Sequence, residues 1–233
     1  MFRYYFDPTY ILLIIGMIIT CAASAGMRST FSRYEKVPSD SGLTGAQTAA
    51  RVLAAAGIHD VQVRAVAGSL TDHYDPRTKT VNLSQSVYNR TSIAAVCVAA
   101  HECGHAVQHQ ENYSPLSFRT TLVPAANIGS SLSVPIFIAG LIFTLRPLMT
   151  AGIILFSLAV LFQLITLPVE FNASSRALAM LDRTGILSPE ENVGARKVLK
   201  AAAMTYVASL TASLLQLLRL ILLSRGSRGS RRD

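Results

Sequence analysis

The chain has 233 residues, of which 51% are hydrophobic and only 15% charged, more apolar than a soluble domain of this length needs, so a multi-pass membrane protein is the natural reading. The net charge of +8 comes without an aromatic-interleaved basic patch or recognition motif, which argues against a nucleic-acid partner. Cys21, Cys97 and Cys103 offer no disulfide framework.

Uncharged runs occur at 8–27, 120–145, 147–169 and 201–218, each near the ~20 apolar residues that a spanning helix needs, the last lengthened if Arg219 snorkels. The first follows Arg3 and ends in small residues. It reads as a retained helix, although Ala23-Ser24-Ala25 also has the form of a cleavage site. The second contains Pro135, the third ends at Pro168, and only Arg146 and Pro147 separate them. That pattern predicts a tight helical hairpin whose outer ends emerge on one side, bringing residues near 115 beside residues near 170.

The stretch 28–119 is water-soluble in character. After a linker, VPSDSGLTGAQ (37–47), the sequence TAARVLAAAGI predicts a short amphipathic helix ending at Gly57. VQVRAVAG and SLTDHYDPRTKTVNLS alternate apolar and polar residues around an Asp75-Pro76 turn, predicting a small antiparallel hairpin or sheet. From Thr91 onward, SIAAVCVAAHECGHAVQHQ has no breaker except Gly104 and reads as an alanine-rich helix.

AAHECGHAVQHQ (99–110) carries the chemistry. His101 and His105 lie one helical turn apart on one face, so two imidazoles can reach one ion. Glu102, rotated by about 100°, points beside that ion, where it can take a proton from water. This is the HExxH pattern of zinc peptidases. His109 lies about 12 Å along the axis from His101 and reads as a helix-end or surface histidine. The glycine turn and later histidine of the metzincins are absent. The hairpin supplies a third ligand: in LPVEFNASSRAL (167–178), Glu170 is the first charge after the third run and returns to the side of the two histidines. Ser174 and Arg176 follow as side chains able to orient a ligand.

SLTDHYDPRTKTVNLS, VAAHECGHAVQHQ, LPVEFNASSRAL and AAAMTYVASL, in this order, resemble the YugP-type family of bacterial membrane zinc peptidases, also called neutral zinc metallopeptidase type 2. The resemblance covers nearly the whole chain. It implies a gluzincin-like site in which His101, His105 and Glu170 hold one Zn2+ per chain and Glu102 is the catalytic base. Asn172 departs from the Asp expected in a VEFDAS-like segment, which affects no ligand.

The reading is therefore a mostly α integral membrane protein with about four transmembrane helices and a small α+β soluble segment carrying the HExxH helix. The expected division is an N-terminal transmembrane helix (1–27), the soluble segment (28–119), the hairpin (120–169), a loop or helix with the third ligand (170–200), a C-terminal transmembrane helix (201–224) and a basic disordered tail (225–233). The expected function is a membrane-embedded, zinc-dependent endopeptidase; the alternative is a non-catalytic zinc-binding membrane scaffold or quality-control adaptor. Donors for a developing oxyanion are sought among His73, Tyr74 and Tyr206, for which a turn-shaping role (His73, Tyr74) and an interfacial aromatic (Tyr206) are the bland readings.

The expected partners are a peptide or membrane-protein substrate and the bilayer. An edge strand in 61–83 is a place for an extended peptide to pair. Anionic lipids are expected at the tail, through Arg225, Arg228, Arg231 and Arg232. These arginines favour a cytoplasmic C-terminus, whereas Arg176, Arg183, Arg196, Lys197 and Lys200 favour a cytoplasmic catalytic segment.

Overall fold

The computed structural model describes residues 7–226. Among them are six helices, α1 (Tyr10–Tyr34), α2 (Gly45–Ala55), α3 (Ile93–Gln110), α4 (Ser114–Ile142), α5 (Arg146–Thr184) and α6 (Pro189–Gly226), and three strands, β1 (Gln62–Val66), β2 (His73–Asp75) and β3 (Thr80–Ser84). The protein is thus mostly helical, with a small sheet. α1, α4, α5 and α6 are each long and apolar enough to cross a membrane, which makes this a multi-pass membrane protein. Arg3, Arg228, Arg231 and Arg232 lie outside the described residues.

The chain divides into two compact units. The membrane unit takes in the first part of α1, most of α4, the first half of α5 and most of α6. Ile142 ends α4 and Arg146 begins α5, with Thr144 at φ 54° in the turn, so the hairpin is as tight as Arg146-Pro147 implies. A Cβ at Gly129 would stand 2.5 Å from the Leu155 carbonyl oxygen; the missing side chain lets α4 and α5 approach closely, as small residues do in membrane helix pairs. Phe137, Met149 and Leu220 form its small buried cluster.

The second unit comprises residues 25–117 and 167–204. Thr44 caps α2 in a reciprocal capping box with Gln47, and Gly57 takes φ +71° just beyond its end, a conformation that glycine adopts without strain. Ser92 caps α3 through Ala95 N, while Asn112 at φ 52° turns the chain towards α4. Ala49, Val52 and Leu53 of α2, Val81 and Leu83 of β3, and Ala95, Val96, Ala99 and Cys103 of α3 build one apolar core with Ala177 and Leu181 of α5 and Val198 of α6. Burying this set, at about 25 cal/mol per Å² of apolar surface, holds the unit together.

Two expectations change, and the structure sets the bounds of α5 and α6. VQVRAVAG does not join an antiparallel hairpin: β2 and β3 pair antiparallel around Asp75-Pro76, but β1 pairs parallel with β3, in the order β1-β3-β2. β3 is buried at every position, so both of its edges take a strand. α5 continues through Pro168 to Thr184, because the neighbouring apolar residues Val169, Ala173, Ala177 and Leu181 are all fully buried and keep the helix in register. The 170–200 segment is accordingly the end of α5, a turn with Gly185 at φ +60°, and the start of α6. α6 begins at Pro189, where Ser188 and Glu191 cap it: Glu191 N donates to Ser188 Oγ, and Ser188 N donates to Glu191 Oε2. Finally, Gly45–Gln47 belong to α2, not to the preceding linker.

Candidate metal centre

Both histidines come from one turn of α3, their rings 4.8 Å apart and edge-on at 83°. Glu170 comes from α5 and is 2% exposed. Its Oε2 stands 3.3 Å from His101 Nε2 and 3.6 Å from His105 Nε2, and the three ligand atoms lie within 4.8 Å of one another. Two features bring the helices this close. Gly104, between the histidines, would place a Cβ 2.5 Å from the Ala173 carbonyl oxygen, so α3 and α5 meet backbone to backbone. Ala173 and Ala177 keep the facing side of α5 small.

The other edge of each imidazole is held. Ser174 Oγ lies 3.2 Å from His101 Nδ1. Gln108 Oε1 lies 3.0 Å from His105 Nδ1. The orientation of the Gln108 amide is set by its other end, since its Nε2 faces two acceptors, the Val169 carbonyl at 2.8 Å and Asn172 Oδ1 at 2.9 Å. Oε1 therefore points to His105, whose Nδ1 must carry the proton and donate. The opposite edge of the ring turns Nε2 towards the Glu170 carboxylate, 3.6 Å away. Two nitrogens and a carboxylate oxygen are a zinc donor set, and bonds of about 2.0–2.2 Å in a tetrahedron put ligand atoms about 3.3 Å apart. The His–Glu distances match that spacing, so the residues present fit a zinc ion.

Glu102 leaves α3 on the adjacent face and is 7% exposed. Burial pushes its carboxyl up to about 7, helped by the Glu170 and Asp72 charges and opposed by His101 and the Tyr74 backbone N–H. A carboxyl that exchanges protons near neutrality is suited to general acid–base work. Asp72, also raised by burial, accepts from Ser84 N and Ser84 Oγ at 2.7 and 2.9 Å and so ties the start of β2 to the end of β3.

The remaining sequence candidates fall in different places. Arg176 does not touch a histidine; its Nε donates to Asn172 Oδ1 at 2.7 Å, and its terminal nitrogen pairs with Glu111 at 2.7 Å. His73 has both ring nitrogens engaged in and beside the sheet, Nδ1 with the Thr71 carbonyl and Nε2 with Asn82 Nδ2. The Tyr74 hydroxyl is 2.9 Å from His109 Nδ1, and burial pushes the phenol up to about 12. His109 thus closes off α3 against β2. Tyr206 belongs to α6 in the membrane unit and is 38% exposed. Gln108 is absent from the sequence reading. Its signal was present: it lies seven residues after His101 and three after His105, on the same helical stripe, where a polar side chain on a buried face calls for a partner.

The chain matches the family described as "Putative neutral zinc metallopeptidase" over residues 9–225. It is 47% identical over 212 residues to the "Putative membrane protease YugP" of Bacillus subtilis (strain 168), covering 91% of this chain and 94% of that relative. No solved structure matches.

Proposed function

Because the chain belongs to the neutral zinc metallopeptidase family, we propose that it is a membrane zinc endopeptidase of the HExxH…E, gluzincin-like type, with His101, His105 and Glu170 holding one zinc per chain and Glu102 as the general base. The observation that carries this reading is the convergence of His101 Nε2, His105 Nε2 and a Glu170 carboxylate oxygen from two helices within 4.8 Å, beside a buried glutamate that is not one of the three.

Zinc bound there supplies a Lewis acid that polarises the scissile carbonyl and acidifies a water. Glu102 takes the proton from that water and later delivers it to the leaving amine. Its raised affinity for protons near neutrality serves both steps, since the same carboxyl must accept and then release. Ser174 and Gln108 keep the two imidazoles turned towards Glu170. Burial of Glu102, which is 7% exposed, limits the bulk water that competes for its proton.

The substrate is a peptide or a membrane protein. β1 and β2 are the edges of the sheet, and β2 runs beside α3 with the Tyr74 N–H facing Glu102. We assign the extended substrate to the β2 edge, where main-chain pairing would carry a peptide past the site. A structure with a peptide inhibitor that made no main-chain bond to residues 73–75 would remove that assignment. The bilayer, and anionic lipids at the arginine-rich tail, complete the proposed surroundings.

The test uses the full chain in detergent. Wild type and Glu102→Gln are assayed for zinc content and for cleavage of a mixed fluorogenic peptide library. Zinc in both, with cleavage by wild type alone, is the expected result. Zinc in both with cleavage in neither would favour a non-catalytic zinc scaffold, and equal cleavage by both would overturn the role of Glu102.

A further inference from the structure

We propose that Gln108 is a positioning residue for the metal centre, holding the tautomer and orientation of His105, and that it is itself held by Asn172 through a chain of side chains that ends at the surface. This rests on the metal-binding reading above.

Gln108 is fully buried and three of its hydrogen bonds are defined: His105 Nδ1–H donates to its Oε1, and its Nε2 donates to the Val169 carbonyl and to Asn172 Oδ1. A carbonyl can only accept, so the Val169 bond alone fixes which end of the amide faces His105. Asn172 is oriented by the same logic. Its Oδ1 receives two donors, Gln108 Nε2 and Arg176 Nε, so the oxygen is the atom that points inwards. Arg176 is held by Glu111 at 2.7 Å and stacks 5.9 Å over the Tyr113 ring. The sequence Glu111, Arg176, Asn172, Gln108, His105 is therefore a directional relay in which each donor and acceptor assignment forces the next.

Two consequences follow. Asn172 needs only its oxygen for this task, and an aspartate would offer the same acceptor to Gln108 and a stronger one to Arg176. The Asn in place of the Asp expected from the resemblance leaves the relay intact. The influence of each member also falls with distance from His105 and with exposure. The Gln108 side chain is sealed, whereas Arg176 and Glu111 side chains are 24% and 55% exposed, so water can replace them.

The experiment measures zinc affinity of the detergent-purified full chain by competition with a chromophoric chelator, for wild type, His105→Ala, Gln108→Leu, Asn172→Asp and Glu111→Gln. Losing an outer partner of a metal-bound histidine costs about 10–100-fold in affinity. Gln108→Leu is expected to fall in that range, Asn172→Asp to stay within about threefold of wild type and Glu111→Gln to be nearly silent. A second readout is the long-range 1H–15N histidine spectrum of zinc-loaded wild type with NOEs, in which the His105 Nδ1–H exchanges slowly and contacts the Gln108 side chain; absence of that contact would overturn the role even if Gln108→Leu does not fold. Wild-type affinity in a folded Gln108→Leu, with zinc lost from His105→Ala, would overturn the positioning role and leave the metal site standing. A His105 protonated at Nε2 would overturn it too. No zinc in wild type would overturn both.

Discussion

Gly104→Ala separates packing from helix propensity by sign. An alanine in a helix interior is worth about 1 kcal/mol over glycine, so on local grounds the substitution stabilises α3. The added Cβ, however, would lie 2.5 Å from the Ala173 carbonyl oxygen and 3.1 and 3.2 Å from Ala173 C and Cα, where ordinary contact begins at 3.4 Å. The obstacle is backbone, so no rotamer relieves it. Restoring contact requires α3 and α5 to separate by about 0.9 Å, and overpacking of this kind costs about 1–3 kcal/mol.

That separation opens the metal centre directly. His101 and His105 ride on α3, Glu170 rides on α5 one turn before Ala173, and metal–ligand distances tolerate only about 0.2 Å. We expect Gly104→Ala to bind zinc at least tenfold more weakly, as strain of 1.4 kcal/mol or more implies, and to melt below wild type when stripped of metal. Chelator competition and thermal unfolding in detergent measure both. Ala173→Gly would not rescue the variant, because the clash is with the main chain. A Gly104→Ala protein that melts higher than wild type and keeps its zinc would refute the close approach of the two helices.

Glu170→Ala should lose zinc by more than the roughly 100-fold of an outer-partner loss, with the fold retained by the buried apolar face of α5. In metal-free protein Glu102 destabilises the fold as it ionises: its carboxyl is raised from 4.5 to about 7, so the penalty is absent below about pH 4.5, grows as pH rises through 7 and reaches about 3 kcal/mol above it. Metal-free Glu102→Gln should therefore be more stable than wild type at pH 8 and no more stable at pH 4, by thermal unfolding; a pH-independent difference would contradict the burial. Thr44→Ala removes the capping box of α2 and should lower stability by about 1 kcal/mol with zinc affinity unchanged; an accompanying loss of zinc would mean that the packing of α2 on α3 transmits the change to the metal site.

What the sequence discloses depends on how local the cause is. His101 and His105 on one face of an alanine-rich stretch, the helix end at Gly57 and the turn at Asp75-Pro76 are local, and their patterns hold in the fold, whereas the Thr44 cap was missed because Thr44 to Gln47 read as linker. The proximity of Glu170 was accessible because only Arg146 and Pro147 separate two apolar runs, which leaves the chain no option but to turn back. The pairing of β1 was hidden because alternation signals a strand and not its partner: a buried β3 accepts a parallel neighbour on one edge as readily as an antiparallel one on the other. The passage of α5 through Pro168 is not legible locally, since proline tends to break a helix, whereas burial of Val169, Ala173, Ala177 and Leu181 is a tertiary effect and wins.

The residues least visible in the sequence are those whose meaning exists only across the seam between α3 and α5. His101 meets Ser174, His105 meets Glu170 and Gln108, and Gly104 and Gln108 reach the Ala173 and Val169 carbonyls. As the number rises along α3 it falls along α5, four residues against four. The helices are therefore antiparallel and in step, and each turn of one supplies what the facing turn of the other lacks. The spacing of HExxH thus does more than set two imidazoles on one ion: its period of four also brings the bare Gly104 and the amide of Gln108 onto successive turns of α5. The polar residues on this seam bond to one another, and at its centre His101 Nε2, His105 Nε2 and a Glu170 carboxylate oxygen converge. Two imidazole nitrogens and a carboxylate oxygen brought together in this way are a donor set that suits a divalent cation.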